Sequence, residues 1–383
     1  MTVSPATDFV PCRADHIGSL LRPQRVIEAR EACDLGRISV EALRAVEDVC
    51  IREAVAMQEA VGLQSITDGE FRRRTYVSDF IGSFGGIRAT HGDMSVADKA
   101  ASLAKLTPAE YAKLIPSFSI AGKIRWERPI LVDGFRYLAG LTSRRPKVTL
   151  PAPAQLHFYL AEREGVDTMI YPDIVEFWND VVEAYRAEIR ALAAAGCRFI
   201  QMDDTCFAKL CDPAVRERLA GRGYPFELLI EQYASAIERI IAEPPPGVVF
   251  GLHACRGSFM GLSGASGGYE PIADMLFNRL KFRVYFLEFD TSRAGDFSPL
   301  RHVPADRFVI LGLVSTKVRE IERPDDLKRR IVEASRHISI DRLGLSPQCG
   351  FSGAFKGHPL AMDDQKRKLE VVVKTAREIW PSG

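Results

Sequence analysis

The chain has 383 residues, 46% hydrophobic and 26% charged, with a formal net charge of +1, which allows one large barrel or two domains. Near-neutrality gives no electrostatic reason to expect nucleic acid or an acidic membrane surface as partner, and no apolar run reaches the roughly 18 residues of a membrane span. Eight cysteines over this length do not form a secreted disulfide framework. Met1-Thr-Val-Ser-Pro5 also lacks the basic and apolar regions of a signal peptide, so free thiols in a reducing cytoplasm are expected.

Short apolar segments ending in polar or small residues recur at 12–19, 63–70, 147–153, 199–204, 248–255, 284–290, 308–315 and 343–349. They read as strands. Between them 24–31, 40–61, 174–195, 226–242 and 324–337 carry apolar residues at helical spacing, and Ala193-Ala-Ala-Gly196 is a stop before the next strand. Strand then helix, eight times over, predicts an α/β fold, a (β/α)8 TIM barrel in one domain over 1–383. No Gly-x-Gly-x-x-Gly follows the first strand, and Gly261, Gly264, Gly267 and Gly268 have the wrong spacing, which argues against a dinucleotide site. The stretch 80–146 is too long for an ordinary connection between the second and third strands. It reads as an insertion, with a polar helical stretch at 95–114 and an alternating stretch at 118–125 that fits a hairpin. A lid, a contact between copies in a homo-oligomer, or both are its expected uses.

In barrels of this type chemistry sits at the C-terminal ends of the strands. Asp15, His16 and Ser19 stand there, as do Asp68 and Glu70, Asp203 and Asp204, and His253 and Cys255. Glu288 and Asp290, Ser315 and Lys317, and Cys349 complete the set. Buried polar groups without partners cost roughly 1–3 kcal/mol each, so shared function explains the crowd more economically than stability does. His253-x-Cys255 puts two soft donors on one face of a strand. With Glu288 and Cys349 they make a ligand set suited to Zn2+. Each has a bland alternative: core filler for His253 and Cys255, a pair with Arg293 for Glu288, a turn cysteine for Cys349. Two thiolates and a carboxylate outweigh the charge of the ion, which makes it a poor acid for carbonyls but leaves a bound thiol nucleophilic. Thiol alkylation follows from such a site more naturally than hydrolysis.

Ile17-Gly-Ser19, Asp68-Gly-Glu70, Ile200-Gln-Met-Asp203, His253-x-Cys255, Glu288 and Ser346-Pro-Gln-Cys-Gly350 together form a specific pattern. It resembles the C-terminal catalytic barrel of cobalamin-independent methionine synthase, and more closely its short single-barrel relatives, over nearly the whole length apart from the insertion. The resemblance implies that His253, Cys255, Glu288 and Cys349 bind a catalytic zinc that activates the homocysteine thiol. It further implies that Glu70 and Asp203 hold the amino group, with Ile17 and Ser19 around the carboxylate. Two carboxylates facing a pocket suit an ammonium group; the alternative pairs Glu70 with one of Arg72 to Arg74, and Asp203 with Arg198 or Lys209. His16 is placed to reach substrate or to bond a neighbouring loop.

Leu313-Val-Ser-Thr-Lys317 departs from the long enzyme, whose pattern has an Asp and a His there for the folate reaction. Lys317 looks like the short relatives. The implied donor is a methylated corrinoid, free or protein-bound, or another methylated small molecule, rather than a polyglutamylated folate. The expected function is methyl transfer to a thiol, homocysteine to methionine, with Zn2+ as cofactor. Three alternatives stand beside it. Alkyl transfer to coenzyme M, as in related epoxyalkane-opening enzymes, would need cations such as Arg13 and Lys317 for the sulfonate. A porphyrin-type decarboxylase of the same superfamily would need no metal, and a zinc-storage barrel would need no amino-acid pocket. Cys206 and Cys211 read as packing thiols, Phe158 and Tyr159 as core or rim aromatics. The stretch 257–268 reads as a mobile loop over the zinc or a surface loop of no consequence.

Overall fold

The computed structural model describes residues 9–90, 116–259, 262–353 and 359–381; the predicted helical stretch 95–114 lies outside them. In chain order the strands are β1 (Ser65–Ile66), β2 (Gly85–Thr90), β3 (Ser117–Arg125), β4 (Arg145–Pro146), β5 (Val148–Pro151) and β6 (Phe199–Asp204). They continue as β7 (Val249–Ala254), β8 (Ser258–Phe259), β9 (Leu262–Ser263), β10 (Val284–Glu288), β11 (Phe308–Val314) and β12 (Leu343–Pro347). Six of them form one sheet in the order β12-β11-β10-β7-β6-β5, and every pairing in it is parallel. The fold is α/β with a parallel sheet.

Helices connect the strands where the spacing predicts them. Val40–Val61 starts at Ser39, whose side chain accepts the Ala42 N–H, and stops at Gly62 in the left-handed region at φ 104°. Ile174–Ala194 starts at Asp173, which accepts the Val175 N–H, and buries Phe177, Val181, Tyr185, Ile189 and Leu192 along one stripe. Each large apolar side chain so buried contributes roughly 1.5–3 kcal/mol.

The predicted first strand contributes a single parallel bridge, Ala14 to Leu345, because the charged residues around it leave no apolar run to zip further. From that bridge, Thr67 Oγ1–H donates to the Gly18 carbonyl at 2.7 Å and Leu20 N–H to the Gly69 carbonyl at 3.1 Å. β1 pairs in parallel with β4, directly before β5. The alternating stretch 118–125 lies in β3, whose antiparallel partner is β2 rather than a second arm within the stretch itself. Gly86 makes that ribbon possible: at φ 84°, a Cβ there would stand 2.3 Å from the Lys123 carbonyl oxygen.

Side chains of the parallel strands alternate between two environments. One face of the sheet, with Ile200, Met202, Leu252, Tyr285, Leu287 and Leu311, packs into the large core that includes the helices. The other carries Phe199, Val249, Val284, Phe286 and Ile310, which pack with Ile17 into a small second core. Lys147 and Asp15 form a buried ion pair at 2.9 Å, the ammonium 4.7 Å from the Phe286 ring centre. Polar residues standing above this small core share its face of the sheet.

Candidate metal and substrate site

Register builds the site. β5, β6 and β7 align Pro151 with Asp203 and Asp203 with His253, so an acid and an imidazole meet on one face, one strand apart. Cys255 follows the end of β7, its N–H donating to the Asp204 carbonyl at 3.1 Å. Cys349 follows β12, two strands beyond β10.

His253, Cys255 and Cys349 bring one ligand atom each to within 4.8 Å of one another. The two sulfurs are 3.6 Å apart and both cysteines are free thiols. His253 Nδ1 is 3.2 Å from the Phe286 carbonyl. That carbonyl can only accept, so Nδ1 carries a hydrogen and Nε2 is the nitrogen that a metal would take on displacing its proton. Nε2 is buried and has no hydrogen-bond partner. Burial opposes charge on this ring, yet the Cys255 sulfur and Asp203 raise its pKa to about 9. The Cys255 thiol is held well below its usual range, chiefly by the hydrogen bond from Cys349 and, against burial, by the charge of His253. The pocket thus favours the thiolate form of a buried cysteine and sets a nitrogen without a hydrogen-bond partner beside it. These features fit a soft divalent ion such as zinc.

Glu288 lies outside that group of three. Its Oε2 accepts the Arg256 N–H at 2.8 Å and faces the Arg256 guanidinium at 3.3 Å. Its Oε1 takes Arg293 and, at 3.2 Å, Lys317. Burial works against the charge, but Lys317, Arg256 and Arg293 more than offset it and hold the carboxyl down to about 2. The pairing with Arg293 foreseen as the bland reading is therefore present, while the carboxylate still neighbours both cysteine sulfurs electrostatically. Lys317 also bonds Asp290 at 2.6 Å; its ammonium serves these two acids.

A cavity of about 570 Å3 opens onto the donors. Ile17, Ser19, Glu70 and Asp203 line it together with His253, Cys255 and Cys349. Ile17 also belongs to the small core, which closes the inner end. Glu70 is 2% exposed and sits at φ 59°, the one non-glycine residue with positive φ among those described. That backbone costs roughly 1–2 kcal/mol. It is held by Asp68 Oδ1, which accepts the Glu70 N–H at 2.8 Å, and by Arg22, which donates to the Glu70 carbonyl at 2.9 Å. Oε1 accepts from Thr149 Oγ1–H at 2.8 Å; Oε2 is buried without a partner. Gly18 is needed for this approach, since a Cβ there would stand 2.6 Å from Thr149 Cγ2 and 3.1 Å from Glu70 Oε1.

Asp203 accepts from Gln201 Nε2–H at 2.7 Å, and the same amide donates to the Ile17 carbonyl at 2.7 Å. Burial raises the Asp203 carboxyl to about 7. Among the described residues Arg198 bonds the Ala193 and Cys197 carbonyls and Lys209 lies over the Phe158 ring, rather than pairing with Asp203. Arg73 alone of the three arginines approaches Glu70, at 3.9 Å.

Two expected residues sit elsewhere. His16 is buried against Ser65 and Gln58, and burial, with Lys147 nearby, takes its pKa well below the usual range. It does not line the cavity. Arg13 donates to the Asp341 and Leu343 carbonyls, at the start of β12 rather than its end. Residues 260–261 of the glycine-rich stretch lie outside the described ones; Gly257 and Gly264 line the cavity. Thr149 and Gln201 are supporting residues that sequence reasoning passed over. Their signal is a polar side chain at every second place in an apolar strand, Lys147-x-Thr149 and Gln201-x-Asp203.

Among the described residues no helix is long and apolar enough to cross a membrane. The family described as cobalamin-independent synthase, catalytic domain, matches residues 165–377. The uncharacterised Bacillus subtilis protein YxjH is 35% identical over 378 residues, 97% of this chain and 95% of its own. The methionine synthase of Pyrococcus furiosus is 22% identical over 336 residues, 87% of this chain and 84% of its own. A Listeria monocytogenes protein crystallised as a candidate vitamin-B12 independent methionine synthase is 31% identical, with a TM-score of 0.74 over 97% of this chain and 98% of its own. The B12-independent methionine synthase of Shewanella sp. W3-18-1, solved with selenomethionine, shares the fold at 17% identity, with a TM-score of 0.73 over 96% of this chain and 98% of its own. This chain belongs to the cobalamin-independent methionine synthase family, methyltransferases of methionine biosynthesis.

Proposed function

We propose that the protein is a zinc-dependent methyltransferase that moves a methyl group onto the thiol of homocysteine. One observation carries the reading: a single cavity is lined at once by the soft donors His253, Cys255 and Cys349 and by the carboxylates Glu70 and Asp203. The first set suits sulfur chemistry at a metal; the second suits an ammonium group. Their union in one cavity suits a thiol amino acid.

His253, Cys255 and Cys349 would hold the zinc, with Glu288 as a fourth donor once it exchanges its cation partners. Zinc, when bound there, lowers the pKa of an incoming thiol and keeps it nucleophilic near neutral pH. Glu70 Oε2, orphaned in a buried wall, and Asp203 face the ammonium. The Ile17–Ser19 backbone, kept close by Gly18 and tied to Gln201, meets the carboxylate. With both ends of the amino acid fixed, its sulfur is presented to the methyl carbon in line, which removes orientational freedom from the barrier. The methyl donor is read as a methylated corrinoid or another methylated small molecule, because Lys317 stands where folate chemistry would call for an Asp and a His.

The barrel belongs to the same proposal. The Ala14–Leu345 bridge at one edge, the β1–β4 pairing at the other and the Thr67–Gly18 bond across the seam support closure of eight strands, with 80–146 inserted. The coenzyme M reading loses support, since of the cations it would use Arg13 is bonded to carbonyls at the start of β12 and Lys317 to Glu288 and Asp290, and neither lines the cavity.

The test is incubation of the zinc-loaded protein with homocysteine and each candidate methylated donor, with mass detection of methionine. Methionine from one donor supports the reading. None from any donor, with tight binding of coenzyme M instead, overturns it.

A further inference from the structure

The two oxygens of Glu70 are unequal, and the inequality has an identifiable source. Thr149 is 2% exposed and its Oγ1–H donates to Glu70 Oε1 at 2.8 Å. Arg73, 8% exposed, donates from one arm to the Thr149 carbonyl at 2.7 Å. Its other arm, Nη1, stands 3.9 Å from the same Oε1 and is buried with no hydrogen-bond partner. Oε2 is the oxygen with none at all. An unmade hydrogen bond on a buried carboxylate is expensive, and this one belongs to a residue that lines the cavity, where a ligand group can complete it.

We infer that Thr149 is a positioning residue for amine recognition: by occupying Oε1 it aims Oε2 of Glu70 at the ammonium of the thiol substrate and so makes the site selective for α-amino thiols over thiols lacking the amine. The inference rests on the reading of Glu70 as the ammonium contact and adds what directs it. Two features confine the geometry. Gly18 leaves room for the Thr149 methyl, which a Cβ at that place would meet at 2.6 Å. β5 pairs Thr149 with Gln201, the residue that orients Asp203, so adjacent positions on two neighbouring strands each turn one carboxylate. Without the hydroxyl, the nearest remaining partner of Oε1 is Arg73 Nη1. The carboxylate would turn toward it and draw Oε2 away from the cavity.

Thr149→Val keeps the shape and removes the donor; Thr149→Ser keeps the donor and removes a methyl. Zinc-loaded wild type and both variants are titrated with homocysteine and with 4-mercaptobutanoate, the same thiol acid without its amine. KM and kcat for homocysteine are measured alongside, and melting temperature checks the fold. A bond to a charged group sets the scale, about tenfold or more. Thr149→Val is expected to weaken homocysteine about tenfold, chiefly in KM, and to leave 4-mercaptobutanoate within twofold. Thr149→Ser is expected to restore most of the preference. If both ligands weaken equally, or the valine variant retains the wild-type preference, the role of Thr149 is overturned, and a wild-type preference for homocysteine leaves Glu70 standing as the contact. If wild type binds the two ligands alike, the Glu70 reading falls, and this inference with it.

Discussion

Glu70→Gln is the substitution in which the proposed chemistry and the geometry meet. The native carboxylate is 2% exposed, holds one oxygen on Thr149 and leaves the other unbonded. A substrate ammonium at about 4 Å from that oxygen interacts by about 4 kcal/mol at an effective dielectric near 20. The amide retains an oxygen for Thr149 but carries no charge, so much of this attraction goes. The expected loss is about 2–4 kcal/mol, a roughly 30- to 1000-fold rise in Kd for homocysteine. Calorimetric titration of zinc-loaded wild type and variant reads this directly, and equal zinc content in the two separates substrate binding from metal binding. The fold should tolerate the change, since the amide is the same size and keeps an oxygen for Thr149. A folded, zinc-replete variant that binds homocysteine within threefold of wild type would refute the ammonium contact.

Two further outcomes follow from the same geometry. Lys317→Met removes the cation between Glu288 and Asp290, and leaves Asp290, fully buried, short of its nearest counter-charge. Urea unfolding should show a loss of about 3–5 kcal/mol, with homocysteine affinity within twofold; a tenfold loss of affinity at unchanged stability would place Lys317 against the substrate. His157, whose Nδ1 is 3.0 Å from the Tyr233 hydroxyl, is held by burial at a pKa of about 4. In the unfolded chain it titrates near 6.5. The folded pKa is depressed, so the unfolded chain binds the extra proton between these values, and this stabilising contribution is present above about 6.5 and lost as pH falls toward 4. From pH 7 to 5 the loss is about 2 kcal/mol, and His157→Gln should lack that share of the slope; an unchanged slope would show that the ring is not the titrating group.

What the sequence disclosed depended on how local the governing physics was. β6, β7, β10, β11 and β12 were plain from apolar runs buried on both faces. The first strand expected at 12–19 shrinks to one bridge, because Arg13, Asp15 and His16 interrupt its apolar run and side-chain bonds tie the segment down instead. The helix Ala154–Ala161 escaped for the opposite reason: seven of its eight residues are buried, so no amphipathic pattern marks it. His253, Cys255 and Cys349 could be grouped by chemistry alone. Around Glu288 only Arg293, five residues on, was legible; Arg256 and Lys317 reach it from separate loops. Thr149 and Gln201 show in sequence only as polar places in apolar strands; their meaning lies in register across positions 52 residues apart.

Metal content with local structure tests the central claim most directly. Protein purified without chelators is assayed for elements and then examined by X-ray absorption at the zinc edge. The account predicts about one zinc per chain, with sulfur neighbours at roughly 2.3 Å and at least one imidazole nitrogen, and loss of the sulfur shell in Cys255→Ser with Cys349→Ser. An unstripped preparation without metal, or zinc surrounded by oxygen and nitrogen alone, would contradict it.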